Sequence, residues 1–246
     1  MLRFFRSIRK RLLSVNELKN TGPMKYLIYG VGEILLVMIG ILLALYVNNW
    51  NETRKQNRKE IVVLNNIKGD LIKSQKELQS ASSNVNERNR KMEMVLDHIS
   101  QKKDYHPKID TALGQFIYFP SPFMTYTSYE SLKASGTDLI SNDSILNLLT
   151  DLYEYEFSYI IKDIDRLGWI TASEIHLPFY VKNIEANVDG FAGKPNDYES
   201  LRNDQEFINI LKLTLRHRKI MKKQFDITSD KIDILIKLIE KEADAT

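Results

Sequence analysis

The chain has 246 residues, 43% of them hydrophobic and 27% charged, which suits a folded protein of one or two domains rather than a disordered one. It contains no cysteine, so disulfides, thiolate catalysis and cysteine-ligated zinc are excluded. The formal net charge of +3 is unevenly spread: residues 1–25 carry seven basic side chains against Glu17, a net of +6, and the remainder sums to −3. Nothing beyond the N-terminus therefore advertises nucleic acid as a partner.

The leading segment MLRFFRSIRKRLLS places Leu2, Phe5, Ile8, Leu12 and Leu13 at helical spacing among five cations. Two readings stand: a basic amphipathic helix lying on an anionic inner leaflet, or a plain basic flank that never orders. Residues 1–25 form the cytoplasmic leader in either case. From Tyr26 to Val47 there follow 22 residues whose only charge is Glu33. As a helix they reach about 33 Å, enough for a hydrocarbon layer of ~30 Å.

Tyr26 and Tyr29 at one end, and Tyr46 and Trp50 at the other, sit where interfacial anchors belong. A buried core helix is the alternative and offers no reason for aromatics at both ends. A cleaved signal peptide is disfavoured, because the run is too long and the exit LALYVNNW lacks a small-x-small site. Basic residues before the run outnumber Arg54, Lys55, Arg58 and Lys59 after it. That bias predicts an uncleaved anchor at 26–47 in the inner membrane, a cytoplasmic N-terminus and a periplasmic domain over 48–246.

On a helical projection Gly30, Glu33, Val37, Gly40, Ala44 and Asn48 form one narrow stripe, opposite bulky Leu35, Leu36, Met38, Ile39, Leu42 and Leu43. Small residues let helices approach closely, and Gly40-x-x-x-Ala44 is such a pair. Glu33 would cost on the order of 2.5–3.5 kcal/mol if it faced lipid while ionised. It has three readings: snorkelling to the inner interface, bonding across a helix–helix interface, or titrating in a proton path. The stripe makes self-association or a membrane-protein partner the expected contact, with lipid covering the rest.

Beyond the membrane Leu64, Leu71, Leu78, Val85, Met92 and Ile99 recur at intervals of seven, the spacing of one bundle seam. The companion positions Ile67, Ser74, Ala81, Arg88 and Val95 are poorer, so a long helix over 52–100 packed in a bundle is favoured over a dimeric rod. KKDYHPKID is a loop. After the proline break at Pro120–Pro122, SYESLKASG ends at Gly136, a natural C-cap, and Asn142 or Asp143 caps the next helix. Long helices are predicted over 143–177, stopping at Pro178, and over 198–242, with a glycine-rich loop between them and no convincing strand. The whole reads as all-α, a transmembrane helix continuing into an extracytoplasmic up-and-down bundle. Since the first long helix leaves the membrane, the next should return toward it and the last lead away.

Candidate chemistry is sparse. His98, His106, His176 and His217 show no H-x-x-x-H spacing, and Glu174-Ile-His176 does not fit helical metal ligands. Glu185 to Gly190, EANVDG, resembles the opening of an EF-hand, but Asn196 stands where a bidentate glutamate is needed. A glycine-rich turn is the simpler reading. Ten of the 22 Phe and Tyr residues fall within 116–159, and Phe116, Phe119, Phe123, Tyr126 and Tyr129 are candidates for a pocket or a core. No phosphate-binding glycine loop, cofactor motif or metal site is expected; a small-molecule ligand is left unknown, and a sensor would bind one in the bundle.

KYLIYGVGEILLVMIGILLALYVNNWNE, with its GEI and NNWNE, and SYESLKASGTDLISNDSILNLLTDLYEY at 128–155 carry a resemblance. They resemble an uncharacterised family of Bacteroidota membrane proteins catalogued only as a domain of unknown function. The resemblance implies a single-pass inner-membrane protein and no activity. The expectation from the sequence is a non-enzymatic scaffold or sensor acting through protein contacts. A 25-residue tail leaves no room for an output domain, so a sensor would pass its signal to a partner. The alternative is an accessory of a proton-coupled complex with Glu33 titrating.

Overall fold

The computed structural model describes residues 22–188 and 192–245 and is nearly all-α, with a long apolar N-terminal helix followed by further helices. The candidate amphipathic helix of the leader lies outside the described residues. Two compact units divide the chain, Met1–Gln56 and Asn57–Thr246. Helix α1, Gly22–Ser100, contributes to both. In the first unit it carries the apolar run from Tyr26 to Val47, where no described residue is buried.

In the second unit α1 presents its seam. Leu64, Leu71, Leu78, Val85, Met92 and Ile99 are all buried, as an interval of seven on a helix of 3.6 residues per turn requires. The companion positions do more than the sequence reading granted: Ile67, Ser74, Ala81 and Val95 are buried too, and Arg88 is half-buried.

After α1 come α2, Lys108–Gly114, an extended stretch, and α3, Thr127–Ser135. Polar side chains of α1 fix this segment in place. Asp70 Oδ2 accepts from the Ser128 amide at 2.9 Å and its hydroxyl at 2.6 Å, and Ser74 Oγ accepts from the Thr125 amide at 2.9 Å. Glu60 Oε1 accepts from the Ser141 amide at 2.8 Å and its hydroxyl at 2.9 Å. Ser128 stands in the first turn of α3, so Asp70 satisfies an orphan helix N–H from outside the helix. Burial works against the Asp70 charge, but the Ser128 bonds and Lys73 hold its carboxyl below the usual range. Gly136 ends α3 with φ of 104°, a conformation that favours glycine.

Helix α4 covers 143–183, and Asn142 caps it by accepting from the amides of Ser144 and Ile145 at 3.0 and 3.4 Å. It alternates α segments with three π segments, Asp151–Glu156, Ile160–Asp165 and Ala172–His176. Its buried side chains explain the widening. Ile145, Leu149, Tyr153 and Phe157 recur every fourth residue, as do Ile160, Ile164 and Gly168, then His176 and Tyr180. A pure α-helix would rotate such a row off the core, and π turns hold it there. The helix also passes the predicted stop at Pro178 and ends at Asn183. The π turn before Pro178 opens the backbone ahead of the ring, so proline sits as at a helix start.

Two further expectations are corrected. The glycine-rich loop contains a short hairpin, β1 Ile184–Ala186 paired antiparallel with β2 Gly193–Pro195. Asp189 and Gly190 of the EF-hand-like stretch lie outside the described residues. The last long helix is two: α5, Tyr198–Asn203, and α6, Gln205–Ala245. Asp204 separates them, its carboxylate accepting from the Glu206 and Phe207 amides at 2.8 and 3.3 Å as the cap of α6.

Helix directions also differ from expectation. The short pieces between 101 and 142 make the return along α1, so α4 runs the same way as α1. Ile145 packs in one cluster with Leu64, and Phe179 in the other with Met92 and Ile99. α6 then runs back, pairing Lys219 with Glu93 and Lys68 with Glu240.

Replacing Asp70 with alanine strands the Ser128 amide and hydroxyl, and should lower the stability of the full chain by about 1–3 kcal/mol in chemical denaturation. The exposed Asp163→Ala should change it by less than about 0.5 kcal/mol. Equal midpoints for the two variants would remove the docking role of Asp70.

Candidate functional site

The second unit holds two apolar clusters, and what separates them is polar. On α1 one cluster reaches Val85 and the other begins at Met92; on α6 one reaches Leu215 and the other begins at Met221. The turns between carry Arg88 and Asn89 on α1 and His217 and Arg218 on α6; Thr214 borders the layer on α6, and α4 adds His176. Arg88 occupies a seam position of α1, and Arg218 lies three residues before buried Met221 on α6, so both point inward.

Arg218 is 0% exposed. Its Nη2 donates to the carbonyls of Gln115, Phe116 and Tyr118 at 3.4, 3.3 and 2.5 Å, which belong to the turn closing α2. These oxygens lie just past the last helical residue, Gly114, and the Gln115 carbonyl also accepts from the Tyr118 amide at 3.3 Å. The guanidinium lies 5.2 Å from the Phe119 ring centroid, and that of Arg88 lies 3.6 Å over Tyr118. Nε and Nη1 of both arginines are buried without a hydrogen-bond partner, as is Asn89 Oδ1. Among the described residues neither arginine has a salt bridge: Glu87 attracts the Arg88 charge but is itself bonded to Lys91 at 2.6 Å, and Glu93 is taken by Lys219 at 3.0 Å. Burial, and then the charge of Arg88, push the Arg218 guanidinium down to about 9.

The imidazoles complete the layer. Phe119 stacks on His176 with ring centroids 5.2 Å apart and planes at 12°, and lies 5.8 Å from the His217 ring. The Thr214 hydroxyl has one proton, which it donates to the Ile210 carbonyl at 2.8 Å. The 2.8 Å contact between Thr214 Oγ1 and His176 Nε2 therefore has His176 as donor, leaving Nδ1 as a bare lone pair. Burial, with the charges of Arg218 and His217, pushes His176 down to about 4, and burial lowers His217 as well. Near neutral pH the layer therefore carries its charge on the two arginines alone.

The residues singled out from the sequence lie elsewhere or at the margins of this layer. Val37, Glu33, Gly40 and Ala44 are exposed along α1 and Gly30 is half-exposed; a Cβ at Gly30 or Gly40 would meet nothing within 4 Å. Tyr26, Tyr29, Tyr46 and Trp50 are exposed, with the Arg54 guanidinium 5.9 Å from the Trp50 ring. Phe116 is buried beside His176, at 4.6 Å between centroids, and Phe119 belongs to the layer itself. Tyr129 is buried and stacked on Tyr153 at 4.3 Å, and half-buried Tyr126 meets Tyr153 edge-on. Phe123 is 80% exposed and joins neither pocket nor core. Among the described residues no cluster of three or more His, Asp or Glu side chains is placed to hold a metal.

Sequence reasoning sought metal and nucleophile spacings among the histidines and so passed over the layer. Its signal was present as an arginine in the seam of α1 and the run Arg216-His217-Arg218 inside an apolar row.

The fold is nearly all-helical, and among the described residues one helix, near the N-terminus, is long and apolar enough to cross a membrane. The chain belongs to a family of unknown function, DUF6090, whose match covers residues 33–167, more than half of the sequence. No curated protein and no solved structure matches it.

The depressed histidines set a pH dependence. A group whose proton affinity is lower folded than unfolded binds more protons in the unfolded chain, so stability falls as pH falls. For His176 the window runs from its ordinary 6.5 down to about 4, and the loss approaches about 3 kcal/mol at the acid end. His176→Gln should flatten the melting temperature of the full chain between pH 7 and 5, where the unmodified chain declines. An unchanged pH slope in that variant would show that His176 does not titrate with folding.

Proposed function

We propose that the protein is a membrane-anchored, non-enzymatic scaffold or sensor that works through protein contacts, with its helical domain on the periplasmic face of the inner membrane. The observation that carries this reading is the run at 26–47, long enough to span and with no described residue buried by the chain itself. Only lipid or another helix can cover it, and the Gly30/Glu33/Val37/Gly40/Ala44 stripe is its narrow face for a second helix. A further apolar row supports contacts outside the membrane. Leu213, Ile220, Ile227 and Ile234 recur at intervals of seven on α6 and remain 61, 49, 38 and 53% exposed.

Single cysteines at Gly30, Gly40 and Ala44, in a chain with no native cysteine, should cross-link in membranes, to a second copy or to another protein, while Leu35 and Leu42 controls stay silent. Equal reaction at all five positions would reduce the helix to an anchor. Release of the chain by alkaline carbonate would remove the membrane reading itself.

A second reading, an accessory of a proton-coupled complex, is favoured by Glu33 standing in the apolar run without an ion pair among the described residues. Glu33→Gln should leave a scaffold nearly intact and abolish a proton-coupled role. A retained deletion-complementing phenotype in that variant removes the second reading.

A further inference from the structure

We propose that the layer between the two cores is a binding site for one small oxyanion, a carboxylate or phosphate group held between Arg88 and Arg218. Four buried donors have no acceptor: Nε and Nη1 of Arg88 and Nε and Nη1 of Arg218. Arg218 is fully buried, and its remaining nitrogen is committed to three carbonyls, which locks the guanidinium and leaves the other two nitrogens free. Arg88, half-buried, lies over the Tyr118 ring at 3.6 Å.

The chemistry of this arrangement selects its ligand. Two guanidinium groups that repel each other, neither of them in a salt bridge, are stabilised together by one negative group that accepts from both. A metal cation would add to the repulsion. An apolar ligand would leave all four donors orphaned. Planar guanidinium donors match the oxygens of carboxylate and phosphate, and neutral His217, whose two ring nitrogens are also unpartnered, adds one further donor. This inference rests on the buried layer alone and does not depend on the scaffold or sensor reading.

The test uses the full chain in detergent micelles, titrated with inorganic phosphate and, separately, with succinate. Sodium chloride holds the ionic strength constant, and unfolding midpoint and calorimetric heat are the readouts. At least one of the two should raise the midpoint saturably, and which one does so distinguishes a phosphate from a carboxylate ligand. Arg88→Met should weaken the apparent affinity by at least about tenfold. A double variant, Arg216→Gln with Lys223→Gln, on the exposed face of α6, should leave it unchanged. Absence of a saturable rise with either anion in the unmodified chain overturns the proposal, whatever the variants do. Binding lost in the α6 surface variant but kept in Arg88→Met assigns the anion to the surface and overturns it as well.

Discussion

The packing of the second unit depends on one repeating contact, the inward seam of α1. An interval of seven falls slightly short of two full turns, so the row from Leu64 to Ile99 stays on one side of the helix over ten turns. Everything else is laid against it. The returning segment is fastened by Glu60, Asp70 and Ser74, α6 crosses it through Lys68–Glu240, Ser82–Asp226 and Glu93–Lys219, and α4 fills the remaining side. Carboxylates buried on such a seam would be costly if alone. They are tolerated because each accepts both an amide and a hydroxyl from a serine that starts or precedes a helix.

The same requirement, a straight apolar row over many turns, is solved differently on α4. Its side chains repeat at four rather than seven, and a regular α-helix cannot keep that row facing one core. Three π segments absorb the excess residues. The cost falls on helix hydrogen bonding, and the gain is visible in Tyr153 and Phe157, which meet at 5.0 Å under the rings of Tyr126 and Tyr129. The stretch SYESLKASGTDLISNDSILNLLTDLYEY is thus largely explained by folding. Ser128 and Ser141 dock on α1, Gly136 turns the chain, Asn142 caps α4, and Tyr129 stacks on Tyr153.

These particulars explain what was legible. The apolar run, the seam of seven, the Gly136 turn and the Asn142 cap are local signals, each written in a few residues at fixed spacing, and each is found where the spacing put it. The direction of α4 was not local. It depended on whether residues 101–142 could make a return stroke without a long helix, and the bonds that let them do so join residues more than 50 positions apart. The break at Asp204 was masked by good helix formers on both sides. The passage through Pro178 was hidden because proline is read as a stop unless the preceding turn is widened. The candidate site was least visible of all, since Arg88 and Arg218 are 130 positions apart in a chain where arginine is ordinarily a surface residue.

That layer is hard to account for by stability. Either cluster closes on itself with Leu, Ile, Val and aromatic side chains, and methionines at 88 and 218 would join them into one continuous core. Buried ionic groups replaced by well-packed apolar ones are often neutral or stabilising exchanges. Here neither cation has a salt bridge, and only Arg88 gains a Coulombic return, from Glu87, so the cost is on the order of several kcal/mol. Three carbonyls at the end of α2 offset part of it for Arg218, and Tyr118 offsets part for Arg88. The imidazoles add nothing to the charge, because their surroundings keep them neutral. Where local rules of core construction are broken at one level and obeyed above and below it, the break is where function is to be sought. In this chain the interruption falls between Val85 and Met92, and it is cationic.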